Sequence, residues 1–122
     1  MAQDKTKNAD KKLRVAYIFQ SSNSSMILNS MVLPQLEERR HGADVIGMFF
    51  MFDNTYLLQK NNPTAERIIS ISKKYHTVLM GCDQCCYQRN IADKLMPEVQ
   101  IGCFPDLYKS LGQTTIDQII TL

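Results

Sequence analysis

The 122-residue sequence has no tryptophan, only two histidines and no apolar run near the roughly 20 residues of a membrane-spanning helix. Its longest apolar segment, residues 46–52, has the length of a buried strand. Residues 1–12 are polar throughout and lack the apolar core of a signal peptide. We therefore expect a cytoplasmic protein without membrane association. In a reducing cytoplasm, cysteines are catalytic or metal-binding more often than they are paired in disulfides.

The folded part of the chain also has no excess of charge. The net charge is +2, and residues 1–12 hold four lysines against two aspartates, so the remaining charges balance. A nucleic-acid-binding surface would need a basic patch. The one local candidate, Arg39-Arg40-His41, is more simply a solvated helix end. We expect no direct nucleic-acid partner, a disordered tail over residues 1–12, and a single domain over residues 13–122.

Strand-like and helix-like segments alternate along that domain, without internal repeats. The predicted strands are residues 13–19, 43–52, 75–80, 99–104 and 116–122. The predicted helices are residues 24–40, 63–74, 82–95 and 105–111. Pro34 should kink or break the first helix, and Gly42 is placed to cap it. Parallel strands need right-handed crossovers, so we predict a three-layer α/β/α sandwich with a mainly parallel five-stranded sheet.

Three of the four cysteines lie within five residues, at Cys82, Cys85 and Cys86. By this assignment Cys82 lies where the third strand ends and a helix begins. Free N–H groups and the helix dipole at such a position favour an anion, which predicts a lowered thiol pKa and a nucleophilic Cys82. Arg89, two helical turns further on, should face the same opening, whereas the charge of Asp83 disfavours the thiolate.

Other interpretations of the cysteines stay open at this point. All could be inert core residues, as buried free cysteines often are. Cys82 and Cys85 form a C-x-x-C and could be a dithiol redox pair. The four cysteines could bind zinc, but Cys103 is alone in a strand and His76 would have to help from the far end of the third strand. We expect no metal and no cofactor.

Two polar segments could border the same edge of the sheet. Residues 20–25 follow the first strand, where backbone N–H groups and hydroxyls can bind phosphate. The segment has no glycine, and a serine-rich helix cap is the simpler interpretation. Asp53, Asn54 and Tyr56 follow the second strand and are more simply turn residues. Nothing in the sequence pairs His41 or His76 with a cysteine.

The segment Cys82-Asp83-Gln84-Cys85-Cys86-Tyr87-Gln88-Arg89-Asn90 resembles the motif of the DsrE/DsrF/YchN-like (TusD-related) sulfur carrier family. Cys82, Cys85 and Arg89 match that motif. Asn90 stands where the family usually has glycine, and Cys86 is unusual for it. The resemblance extends over residues 13–122, including residues 48–53, which resemble the family's aromatic second strand and acidic turn.

The resemblance implies a sulfurtransferase-like carrier without a cofactor. Cys82 would accept sulfane sulfur as a persulfide from a donor protein and pass it to an acceptor protein. Cys85 could attack that persulfide or be a bystander, and Arg89 could steady it or anchor the helix. Family members form trimers or hexamers, so a homo- or hetero-oligomer is expected. The alternatives are a thiol–disulfide redox protein that uses Cys82 and Cys85, and a non-enzymatic metal-binding or interaction subunit.

Overall fold

The computed structural model describes residues 12–122 as a five-stranded sheet with helices on both faces. Residues 1–11 of the predicted tail lie outside the described residues. The strands are β1 (Leu13–Phe19), β2 (Ala43–Phe50), β3 (Val78–Cys82), β4 (Gln100–Gly102) and β5 (Gln118–Thr121). Their order is β4-β3-β2-β1-β5, and every pairing is parallel. The predicted α/β class and five-stranded sheet are confirmed.

The helices are short. They are α1 (Ser24–Ile27), a π-helical turn (Leu28–Val32), α2 (Leu33–Glu37), a 3₁₀ helix (Phe52–Leu58), α3 (Pro63–Tyr75), α4 (Asp83–Gln88) and α5 (Phe104–Leu111). Within residues 12–122, no helix combines the length and apolar character needed to cross a bilayer.

The strand order determines which face each helix covers. From β1 to β4 the chain always steps in one direction, and right-handed crossovers place all of those connections on one face. The step from β4 to β5 runs the opposite way, so α5 covers the other face. The apolar cores agree with this arrangement. The first core contains Phe19, Phe50 and Ile68, and the second contains Phe49, Met80 and Leu107.

The first helical segment differs from its predicted form. It ends at Glu37 and not at Arg40, because Arg39 adopts a left-handed φ of 59°. Gly42 lies in the loop before β2, so it does not cap this helix. Pro34 neither breaks nor ends the segment. It has no N–H to donate to the carbonyl of residue 30, and the chain accommodates this with the π-helical turn before α2.

The helix predicted over residues 82–95 is also wrong in its length. It ends at Gln88, because Asn90 takes a φ of 55° and the N–H of Ile91 then bonds the carbonyl of Cys86. Asparagine tolerates this left-handed conformation better than most residues. The predicted fourth strand, residues 99–104, includes Cys103, but β4 ends at Gly102 and Cys103 is the N-cap of α5.

Candidate functional site

The carboxyl ends of neighbouring strands bring all four cysteines to one edge of the sheet. Cys82 is the last residue of β3 and the N-cap of α4, which is the predicted junction. It pairs with Gly102 on β4, so Cys103 follows directly on the adjacent strand. All four thiols are free. Cys82 and Cys85 are 6% and 5% exposed, Cys86 is fully enclosed, and Cys103 is half-buried.

The environment of Cys82 opposes the thiolate. Burial raises the pKa of the Cys82 thiol, and the N–H groups of Cys85 and Gln84 lower it by less. Neither N–H forms a full capping bond to the sulfur, and the N–H of Gln84 also donates to the Asp83 carboxylate at 2.7 Å. The predicted lowering of the Cys82 pKa is therefore wrong. The six-residue helix α4 contributes two nearby donors, which do not outweigh desolvation.

Cys85 has a donor of its own. The main-chain N–H of Phe52 donates to the Cys85 Sγ, with 3.1 Å between nitrogen and sulfur. Phe52 reaches this position with a φ of 55°, which costs a residue with a side chain roughly 1–2 kcal/mol. Cys85 also packs with Cys82 in the second core. The structure therefore places the two members of the C-x-x-C on the same side of the sheet.

Cys86 belongs to the opposite face. It packs in the first core with no exposed surface. Burial raises its pKa to about 11, with smaller increases from the charges of Cys82 and Cys85, while the Thr55 side chain lowers it. Cys86 is thus a neutral thiol at physiological pH, which favours the interpretation of this residue as part of the core.

The Arg89 side chain contacts the main chain of Cys85 and not its sulfur. Its guanidinium donates to the Asp53 carboxylate at 2.9 and 3.0 Å and to the main-chain carbonyl of Cys85 at 3.2 Å. The three hydrogen bonds found for the Arg89 guanidinium go to Asp53 and to the Cys85 carbonyl, and none of them goes to the sulfur of Cys82. This geometry favours anchoring of α4 to the turn after β2 over direct contact with the sulfur of Cys82.

The polar segment after β1, residues 20–25, forms hydrogen bonds with the end of the strand region at Leu122. The N–H groups of Gln20 and Ser21 and the hydroxyl of Ser24 all donate to the carbonyl of Leu122, at 2.8, 3.1 and 3.0 Å. A cleft of about 280 Å³ lies beside this segment and is also lined by Asp53 and Asn54. Three of the donors in this segment are therefore already bonded to the chain itself.

The arrangement needed for zinc is absent from residues 12–122, where no three His, Cys, Asp or Glu side chains lie close enough to hold a metal ion. His76 caps the C-terminus of α3, at the opposite end of β3 from Cys82. His41 is held between the hydroxyl of Tyr17 and the side chain of Gln35, at 2.8 and 2.9 Å. Neither histidine contacts a cysteine.

The sequence did not predict the contact between Phe52 and Cys85. A bulky aromatic residue gives no signal for a left-handed conformation, since glycine, asparagine and aspartate are the usual occupants. The following pair, Asp53-Asn54, signals a turn without fixing its geometry. The role of Asp53 as the partner of Arg89 depends on a contact between residues 36 positions apart.

Comparison with known proteins supports the fold. The structure is similar to the crystal structure of the YchN protein from E. coli, with a TM-score of 0.64 and 18% sequence identity. The match covers 91% of this chain and 99% of that chain. No family model and no curated protein matches the sequence. At this identity the likeness establishes a shared α/β fold.

Proposed function

We propose that this protein is a sulfur carrier of the sulfur-relay type, which holds sulfane sulfur as a persulfide on Cys82 and passes it to a partner protein. The observation that carries the proposal is the position of Cys82, at the carboxyl end of β3 with the N–H groups of Gln84 and Cys85 beside its sulfur. In open α/β sheets, ligand sites gather at this edge. The fold shared with YchN supports it.

The burial of Cys82 is compatible with this chemistry. A persulfide carries its outer sulfur about 2.05 Å beyond the cysteine sulfur, which moves the reacting atom away from the enclosed thiol. An acceptor thiolate attacks that outer sulfur and forms the new S–S bond, and Cys82 leaves as a thiolate. The nearby N–H groups of Gln84 and Cys85 stabilise this leaving group. When Cys82 carries no sulfane sulfur, its burial keeps the thiol protonated and shields it from solvent.

Arg89 serves in this proposal as an anchor. It connects α4 to the turn after β2 through Asp53 and the carbonyl of Cys85. Both segments border Cys82, so the anchor maintains the position of the N–H groups around the sulfur. Cys85 is the second reacting thiol, since it is the cysteine that shares the second core with Cys82.

The second face of the sheet supports the proposal of an oligomer. Helix α5 packs on β2, β3 and β4, and Ala16 of β1 is buried in the second core. Ile119 of β5, which pairs with Ala16, is 58% exposed on this face. A cytoplasmic homo- or hetero-oligomer, a trimer or hexamer, would bury Ile119. Donor and acceptor proteins complete the relay.

Incubation of the reduced protein with a sulfane-sulfur donor tests the central step. Intact mass should increase by one sulfur atom in the native chain and in Cys103→Ser, because Cys103 has no role in the uptake of sulfur. The Cys82→Ser variant should gain none. Circular dichroism confirms that each variant is folded. Equal uptake by a folded Cys82→Ser variant would reject the proposal.

A thiol–disulfide redox protein is the second candidate. It is favoured by the shared location of Cys82 and Cys85, which pack together in the second core. A redox titration of the native chain, with mass mapping of the cysteines, separates the two functions. A reversible Cys82–Cys85 disulfide in a chain that takes up no sulfur would favour the redox function.

A further inference from the structure

The turn after β2 holds a bulky side chain in a rarely used backbone conformation. Phe52 has a φ of 55°, an outlier for a residue of its size. The residue is 49% exposed, so burial of its side chain in a core does not explain the strain. Strained residues cluster at functional sites. In this turn the conformation positions the main chain of Phe52.

The turn after β2 holds Cys85 in two ways, once through a main-chain N–H and once through a side chain. The N–H of Phe52 points at the Cys85 Sγ at 3.1 Å, in a place where burial limits competition from water. The next residue, Asp53, binds Arg89, which donates to the carbonyl of Cys85 at 3.2 Å. One short turn thus fixes both the side chain and the backbone of the same cysteine.

Cys86 lies next to Cys85 in sequence but has a different environment. Cys82 and Cys85 pack together in the second core, whereas Cys86 packs in the first core. Burial raises the pKa of Cys86 to about 11, so it remains protonated at neutral pH. The Phe52 N–H bonds Cys85 and not Cys86. Location and hydrogen bonding therefore distinguish two thiols that are adjacent in the chain.

We propose that Phe52 is a positioning residue whose backbone N–H makes Cys85, and not Cys86, the thiol that discharges the persulfide of Cys82. This inference rests on the proposed function. The Cys85 thiolate attacks the inner sulfur, the Sγ of Cys82, and forms the Cys82–Cys85 disulfide. The S–S bond of the persulfide breaks, and the outer sulfur leaves with the electron pair and its proton as hydrosulfide. The sulfane sulfur is reduced, and the two cysteines are oxidised.

Two substitutions at Phe52 separate the backbone role from the ring. Phe52→Gly keeps the N–H and allows a positive φ without strain. Phe52→Val also keeps an N–H, but a β-branched residue strongly disfavours this φ. The first measurement is the pH profile of Cys85 alkylation by iodoacetamide, with each cysteine resolved by tandem mass spectrometry. The second is the rate at which the persulfide-loaded protein releases sulfide. Urea unfolding confirms that both variants are folded.

We expect Phe52→Gly to retain the native alkylation profile of Cys85. In Phe52→Val the Cys85 Sγ loses its N–H donor, so alkylation of Cys85 at neutral pH should slow roughly tenfold, and sulfide release should slow by a similar factor. Cys85→Ser should abolish release, while Cys86→Ser should preserve it.

The proposal is overturned by an unchanged Cys85 profile in folded Phe52→Val, or by an equal shift in Phe52→Gly. Undiminished sulfide release from Cys85→Ser, or from a Phe52→Val variant with a shifted profile, would also overturn it. Failure of the proposed function has a different signature. Cys82 would then take up no sulfur in any variant, which removes the discharge step, while the alkylation profiles still measure the coupling of Phe52 to Cys85.

Discussion

Replacement of Arg89 by methionine should destabilise the fold without directly disabling Cys82. The change removes the ion pair with Asp53 and the hydrogen bond to the Cys85 carbonyl. Asp53 is 85% exposed, so that pair contributes only about 0.2–1 kcal/mol. The hydrogen bond contributes about 1 kcal/mol more. We expect a loss of about 1–2 kcal/mol in the free energy of unfolding, or a decrease in Tm of roughly 4–8 °C.

Urea unfolding followed by circular dichroism measures the loss, and the Arg89→Lys variant is the matched control. Lysine keeps the positive charge but lacks the planar fork that binds Asp53 and the Cys85 carbonyl together. An anchoring role predicts that lysine recovers less than half of the lost stability. Cys82 should load with sulfur at near-native extent in both variants below their unfolding midpoints. A fully stable Arg89→Met that fails to load, with loading restored by lysine, would refute the anchor and establish a role for the charge.

Three further predictions concern the scaffold. Gly102→Ala should lower the free energy of unfolding by about 1–2 kcal/mol, because the new Cβ would lie 2.7 Å from the Cβ of Asp106, whose carboxylate caps α5. Gly47→Ala should lower it by less, because its Cβ would lie 2.9 Å from the flexible end of the Leu111 side chain. Urea unfolding measures both changes, and a larger loss for Gly47→Ala would contradict this order. Thr77→Val should lower the free energy of unfolding by about 1–3 kcal/mol, because the buried hydroxyl donates to the Val45 carbonyl at 2.8 Å. An unchanged urea midpoint would show that this hydrogen bond contributes nothing to stability. Burial lowers the pKa of His41 from its usual 6.5, so the unfolded chain binds a proton first as pH falls. The free energy of unfolding should therefore decrease as the pH falls below about 6.5, and this decrease should be smaller in His41→Gln; a urea midpoint that rises from pH 7 to pH 5 would be inconsistent with that sign.

The alternation of strands and helices was predictable because it depends on local apolar patterns and on one handedness rule. The third strand was predictable from its apolar run, although it spans Val78–Cys82 and not residues 75–80, because Tyr75 still belongs to α3 and pairing with β4 extends through Cys82. Helix ends were less predictable. The left-handed residues Arg39 and Asn90 end helices that the apolar pattern would have continued. A left-handed conformation at such residues depends on tertiary contacts, and the local apolar pattern carries no information about these contacts.

In the site, too, some features were predictable from the local sequence and others depend on tertiary contacts. The position of Cys82 followed from its place in the sequence, but its pKa did not, because burial outweighs the nearby N–H groups. The separation of Cys85 from Cys86 depends on which face of the sheet each side chain occupies. The hydrogen bonds of Phe52 and Asp53 join them to residues 33 and 36 positions away. Such long-range pairings determine the local chemistry of the thiols.

Localisation of the first sulfur atom taken up by the unmodified chain tests the central claim most directly. The reduced, folded protein is exposed briefly to a sulfane-sulfur donor, the remaining thiols are blocked, and tandem mass spectrometry assigns the modified cysteine. The account predicts a persulfide on Cys82 before any appears on Cys85, Cys86 or Cys103. A first persulfide on another cysteine, or none on Cys82 in the folded protein, would contradict it.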